Sequence, residues 1–218
     1  MNLKEYHKIL NFCIENNTSL VAVSKTKPIE DIQTLYAENQ RIFGENKVQE
    51  LVEKQALLPQ DIQWHFIGHL QKNKVKYIAP FVALIHAIDS LSLLKEINKR
   101  ALQNERKINC LIQFHIAKEE HKFGLKPKDI EAFFSEISLF KNANIIGVMG
   151  MATFTTDQQQ IKEEFKILKN TFNHLKETYF KEKNDFKEIS MGMSSDYKTA
   201  LEEGSSMIRV GSSIFGTR

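Results

Sequence analysis

The sequence predicts one domain, residues 1–218, folded as a (β/α)8 barrel of the TIM type with an extra helix at its N-terminus. Three observations carry this expectation. Short apolar runs recur along the chain, a helical pattern follows each of them, and no Gly-x-Gly-x-x-Gly follows the first run to favour an open doubly wound sheet. Alternating β and α units imply parallel strands, and eight of them imply closure.

The opening segment, MNLKEYHKILNFCIENN, keeps apolar residues at helical spacing among charges and reads as the extra helix. Leu20–Ser24 is a compact apolar run and the first strand; Pro28–Asn39 is the helix behind it, with Pro28 in the first turn, where a missing N–H costs nothing. Arg41–Phe43 and Gln63–Ile67 are the next two strands, with the amphipathic stretch Asn46–Leu57 between them. Leu84–Ile88 is the fourth strand and Leu91–Leu102 its helix. The fifth strand is Ile108–Ile116, followed by a helix over Pro127–Leu139, again with proline in the first turn. Asn144–Met149 leads to the helix Gln158–Thr178, in which Ile161, Phe165 and Leu168 keep one buried stripe through a charged run. Glu188–Met191 and Met207–Val210 complete the eight strands, and Gly204 stops the short helix between them.

A chain of this length buries roughly 70% of the surface its unfolded form exposes, so its core needs neither disulfide nor metal. Cys13 and Cys110 have no paired spacing and read as reduced thiols of a cytoplasmic protein. Lys and Arg exceed Asp and Glu by only 30 to 27, without a block of like charge, which argues against nucleic acid as a partner. No segment approaches the ~18 apolar residues of a membrane span, and the charged start is not a signal peptide.

Candidate chemistry gathers at the strand ends. In Val21-Ala22-Val23-Ser24-Lys25, alternation puts Val21, Val23 and Lys25 on one face, so an inward-facing Lys25 places an amine at the top of the barrel, where barrel enzymes keep their chemistry. Lost hydration there favours a neutral amine able to attack an aldehyde. The last two strands end in Met191-Gly192-Met193-Ser194-Ser195-Asp196 and Gly211-Ser212-Ser213, small-residue turns leading into helices. Either turn alone could simply cap a helix, but at neighbouring strand ends in a barrel the two together make the usual phosphate cradle, with Ser194 and Ser212 as hydroxyl donors. Arg209 lies between Ile208 and Val210; if those face the outer helices, its guanidinium points inward and needs an acceptor, either a buried carboxylate or a pyridine nitrogen.

Five motifs then form one resemblance: Val23-Ser24-Lys25-Thr26-Lys27-Pro28, Phe43-Gly44-Glu45-Asn46 with Val48-Gln49-Glu50, Trp64-His65-Phe66-Ile67-Gly68, Ser190-Met191-Gly192-Met193-Ser194, and Arg209-Val210-Gly211-Ser212-Ser213-Ile214-Phe215-Gly216. From Leu20 to Gly216 the chain resembles the YggS/PROSC family of pyridoxal phosphate homeostasis proteins, whose fold is that of the alanine racemase N-terminal domain. The resemblance implies pyridoxal 5′-phosphate (PLP) as cofactor, a Schiff base on Lys25, a phosphate held by Ser194, Gly211 and Ser212, and Arg209 facing the pyridine nitrogen. It also implies that Asn46, His65 and Met149 line the cofactor pocket. The chain departs from the commoner family pattern at Lys47, usually aromatic, and in Phe114-His115-Ile116-Ala117, usually more polar.

Other signals carry less. His65 and His69 would lie about 13 Å apart on a strand, so a metal site is not expected. Ser195-Asp196 lacks a Gly-x-Ser-x-Gly elbow and reads as helix capping. Lys122, in the loop after the fifth strand, reads as a rim lysine. The expected function is a monomeric carrier that keeps PLP and supplies it transiently to apo-enzymes, with no catalytic residues of its own. The alternative is a PLP-dependent amino-acid racemase, which needs a second acid–base group opposite Lys25. In the racemases that group is a tyrosine from a further domain and a partner subunit; the chain is expected to lack both, and none of Tyr6, Tyr36, Tyr77, Tyr179 and Tyr197 falls at a strand end facing Lys25. A phosphate-sugar barrel enzyme would show carboxylates at several strand ends, where only Glu45 and Asp89 occur, unpaired.

Overall fold

The structure, a computed structural model, describes residues 1–119, 123–126 and 129–216. Among these, eight parallel strands close into a barrel in sequence order: β1 (Ser19–Val23), β2 (Ile42–Glu45), β3 (Gln63–Phe66), β4 (Leu84–Ile88), β5 (Ile108–Gln113), β6 (Ala143–Met149), β7 (Glu188–Ser190) and β8 (Met207–Val210). β8 closes against β1 with Val21 opposite Arg209. The helices are α1 (Leu3–Glu15), α2 (Ile29–Ala37), α3 (Val48–Leu57), α4 (Val75–Ile78), α5 (Leu91–Gln103), α6 (Ile130–Ser135), α7 (Gln158–Thr178), α8 (Tyr197–Glu202) and α9 (Ser212–Phe215). The extra helix α1 packs on β1 and α9, where the Asn2 amide donates to the Ile214 carbonyl at 2.7 Å.

Two apolar layers separate as a barrel requires. Val21, Leu84, Ala87, Leu111, Met149 and Met207 cluster inside, while Ile208, Val210, Phe43, Trp64 and Ile145 join the larger layer between barrel and helices. β6 and β7 approach so closely that a Cβ on Gly147 would lie 1.8 Å from the Glu188 carbonyl oxygen, which explains a glycine there. None of the described helices is long and apolar enough to cross a membrane.

Three local expectations need correction, and one pair of short turns was not foreseen. Strand β5 ends at Gln113 rather than Ile116, because the chain turns back on itself: Phe114 bridges Leu125 and the Gln113 side-chain Nε2 donates to the Phe123 carbonyl. Pro28 is the residue before α2, not part of its first turn. The helix expected over Pro127–Leu139 is a short α6 followed by a 3-10 turn, Ile137–Leu139, and Pro127 lies outside the described residues. Between β3 and β4 the chain makes a 3-10 turn, Lys72–Lys74, and the single-turn α4, which no periodic signal announced.

Candidate functional site

The first strand delivers Lys25 to the C-terminal mouth of the barrel. Ser24 is fully buried, while Lys25 is half-buried beside a cavity of about 90 Å³ that it lines with Val23, Thr26, Lys27, Gly211, Ser212 and Gly216. Among the described residues the Lys25 amine has no hydrogen-bond or ion-pair partner. Its neighbour Lys27 is engaged, donating to the carbonyls of Phe215 at 3.3 Å and Gly216 at 2.9 Å.

Across that cavity lie the turns after β7 and β8. Gly192 takes φ +95°, with Ala200 Cβ only 2.6 Å from where its own Cβ would stand, so only glycine lets the first turn pass. Asp196 precedes α8 and accepts from the Met193 amide at 2.5 Å, which closes the turn and presents Ser194. Neither Ser194 nor Ser195 caps α8, contrary to the simpler expectation; Ser194 Oγ instead accepts from the amides of Gly211 at 3.3 Å and Ser213 at 3.4 Å. Both bonds are long for N–H···O contacts, so two N–H groups converge on one weakly held oxygen. Gly211 packs its α-carbon against β1, where an added Cβ would lie 3.0 Å from the Val23 carbonyl oxygen, and Ser212 is exposed at the start of α9.

Arg209 points into the barrel, as its flanking Ile208 and Val210 predicted, and is 4% exposed. Among the described residues no carboxylate forms an ion pair with it: Nη1 donates to Ser190 Oγ at 2.5 Å and Nη2 to the Gly150 carbonyl at 3.1 Å. Burial lowers its pKa to about 10, opposed by the charge of Asp196, so it remains a cation at neutral pH. The hydrogen bonds continue from there. Ser190 Oγ lies 3.0 Å from His86 Nδ1, and His86 Nε2 lies 3.1 Å from His65 Nδ1. Arginine only donates, so the Ser190 oxygen accepts from it, and among the described residues the acceptor in reach of the Ser190 proton is His86 Nδ1. His86 then carries its proton on Nε2 and donates to His65, which keeps its own on Nε2. Burial pushes the pKa of His65 down to about 3; burial, the neighbouring His65 and the charge of Arg209 push that of His86 well below 6.5.

Asn46 follows β2, pressed against Gly68, whose Cβ would lie 2.4 Å from the Asn46 carbonyl oxygen. Its side-chain Oδ1 is buried without a partner among the described residues. Met149 is fully buried in the interior cluster. Of the candidate residues, then, the fold brings Lys25, Gly211, Ser212 and Ser194 to one cavity and its rim, and links Arg209 to His65 through the barrel interior. His69 diverges from His65 and meets Asp89 at 3.2 Å. Lys122 lies outside the described residues. The tyrosines are engaged elsewhere: Tyr6 on Gln40, Tyr36 on Asp61, Tyr179 stacked on Phe134 and Tyr197 edge-on to Phe12, with Tyr77 exposed on α4. Sequence reasoning missed His86; its one signal is a histidine in a strand buried at all five positions.

Comparison with known proteins agrees with the fold. The family model "Alanine racemase, N-terminal domain" matches residues 3–218. The pyridoxal phosphate homeostasis protein of Aquifex aeolicus is 36% identical over 205 residues, covering 94% of this chain and 89% of its own. That of Homo sapiens is 37% identical over 214 residues, 91% of this chain and 76% of its own. Among solved structures, PipY of Synechococcus elongatus with PLP bound superposes with a TM-score of 0.84 at 33% identity, covering 92% of this chain and 93% of that one.

Proposed function

As the chain belongs to the alanine racemase N-terminal domain family, and within it to the YggS/PROSC pyridoxal phosphate homeostasis proteins, we propose that it binds PLP on Lys25 and keeps that cofactor available to other proteins. One pair of observations carries the reading: an amine with no partner among the described residues lines a cavity with a turn whose backbone N–H groups converge on a single loosely held hydroxyl. Bound PLP supplies an aldehyde, which an amine converts to an imine with loss of water, and an electron-withdrawing pyridine ring.

The residues present fit that group. Lys25 is the amine that adds to the aldehyde carbon. The amides of Gly211 and Ser213, with the hydroxyls of Ser194 and Ser212, suit the phosphate, since converging N–H groups favour an anion. Arg209 suits the ring nitrogen; it keeps its own proton, so the nitrogen stays unprotonated and the ring is a weaker electron sink than one paired with a carboxylate. The orphaned Asn46 Oδ1 offers an acceptor and His65 Nε2 a donor, while Met149 closes the interior below.

A carrier suits these residues better than a racemase. Racemisation needs a second acid–base group opposite Lys25, and the tyrosines that could serve are engaged on the outer side of the barrel or exposed on α4. The protein thus acts as a monomeric cytoplasmic store that passes PLP transiently to apo-enzymes. Holo-protein incubated with L-alanine in deuterated water is expected to incorporate no α-deuterium over many turnovers, while restoring activity to an apo-aminotransferase. Exchange at about 1 per second or faster would make it a racemase.

Removing both hydroxyls in Ser194→Ala with Ser212→Ala is expected to weaken PLP binding at least about tenfold, since each bond to a charged group is worth on the order of 1.5 to 3 kcal/mol. Affinity for unphosphorylated pyridoxal should barely change. Equal losses for the two ligands, measured by fluorescence titration, would remove the phosphate role.

A further inference from the structure

The segment that carries Lys25 is not held by the barrel alone. Thr26 takes φ +63°, the left-handed region, which a β-branched residue adopts only when its surroundings enforce it. The enforcing contacts come from β2 and α3. Lys54 is buried under the segment, and its ammonium donates to the Ser24 carbonyl at 2.8 Å, to Glu45 Oε1 at 2.7 Å and to Glu50 Oε1 at 2.7 Å, so each of its three protons has an acceptor. The Ser24 hydroxyl donates to the same Glu45 oxygen at 2.7 Å, and Glu50 Oε1 accepts from the Thr26 amide at 2.5 Å. The residues on both sides of Lys25 are therefore tied to one ion-pair cluster, while its own side chain is left free to face the cavity.

We propose that Glu45, Glu50 and Lys54 are positioning residues: a buried clamp that holds the Ser24-Lys25-Thr26 backbone in the conformation that aims the Lys25 amine across the mouth of the barrel. This rests on the reading of Lys25 as the amine that joins PLP. It accounts for Glu45 and Glu50 in a motif of which the cofactor pocket uses only Asn46. Glu45 thus faces α3, not the barrel mouth, and is no candidate acid or base there.

The test separates aiming from general pocket integrity. Glu50→Ala removes the acceptor of the Thr26 amide but leaves the Glu45–Lys54 pair, and Glu50 is partly exposed, so the fold should survive. With free PLP, stopped-flow absorbance is expected to show imine formation slowed at least about tenfold, the scale of a lost hydrogen bond to a charged group. Affinity for pyridoxine 5′-phosphate, which has no aldehyde, should be nearly unchanged. Glu50→Gln, which retains the acceptor, should restore the rate, and so should adding Thr26→Gly to Glu50→Ala, because glycine takes the left-handed conformation unaided. Imine formation at the wild-type rate in Glu50→Ala, equal losses for both ligands, or no recovery in either rescue overturns the clamp. Failure of the wild-type protein to form an imine at all would instead overturn the reading of Lys25.

Discussion

Lys25→Ala is expected to abolish the imine absorption of the protein entirely and to let PLP pass through gel filtration unbound. Two lysines flank the cavity, but only one amine is available: Lys27 holds the carbonyls at the end of α9, whereas Lys25 has no partner among the described residues. Lys27 cannot take over without giving up those bonds. Borohydride reduction of the wild-type protein should accordingly place the adduct on Lys25 in peptide maps. Because the lost side chain is half-buried and unpaired, the variant should unfold within about 0.5 kcal/mol of wild type, so loss of the band reports chemistry and not collapse. An imine band retained in Lys25→Ala, or an adduct mapped to another residue, would overturn the assignment.

Acid should destabilise the protein through its two buried histidines. His65 is held neutral by burial, with its pKa lowered from 6.5 to about 3, so the unfolded chain binds a proton that the folded one refuses. Stability is therefore full above pH 6.5 and declines as pH falls from there towards 3. By pH 5 the cost is on the order of 2 kcal/mol for His65 alone, or roughly 4 to 8 °C in melting temperature for a domain of this size. His86, shifted in the same direction, adds to it. Calorimetry at pH 7 and pH 5 checks the slope, and a His65→Gln variant should lose a substantial part of it. The same pH dependence in that variant would mean that other groups carry the acid sensitivity.

Much of this protein can be read along the chain. The alternation of short apolar runs with amphipathic stretches was sufficient for a closed eight-stranded barrel, because each strand and helix is defined by neighbours two to four residues away. The same local rule turned Arg209 inward, since Ile208 and Val210 had to meet the helices, and placed Lys25 at the mouth. It also brought the glycine and serine turns after β7 and β8 to adjacent positions.

What the chain could not disclose depends on register and on helices crossing strands. In β4 all five residues are buried, so alternation assigns no face to His86, and its partners lie 21 and 104 residues away. Glu45 looked like a strand-end carboxylate open to the mouth until α3 placed Lys54 against it, nine residues later in sequence and on the outer side of the sheet. Strand β5 stopped early because its loop brought back Leu125, whose backbone bonds with Gln113 and His115 belong to a competition between backbone groups that apolar patterning does not record. Periodicity reports which side of an element is apolar, whereas the histidine relay and the clamp on Lys25 exist only because barrel closure brings distant polar atoms within hydrogen-bonding distance, where burial makes each of those bonds costly to lose.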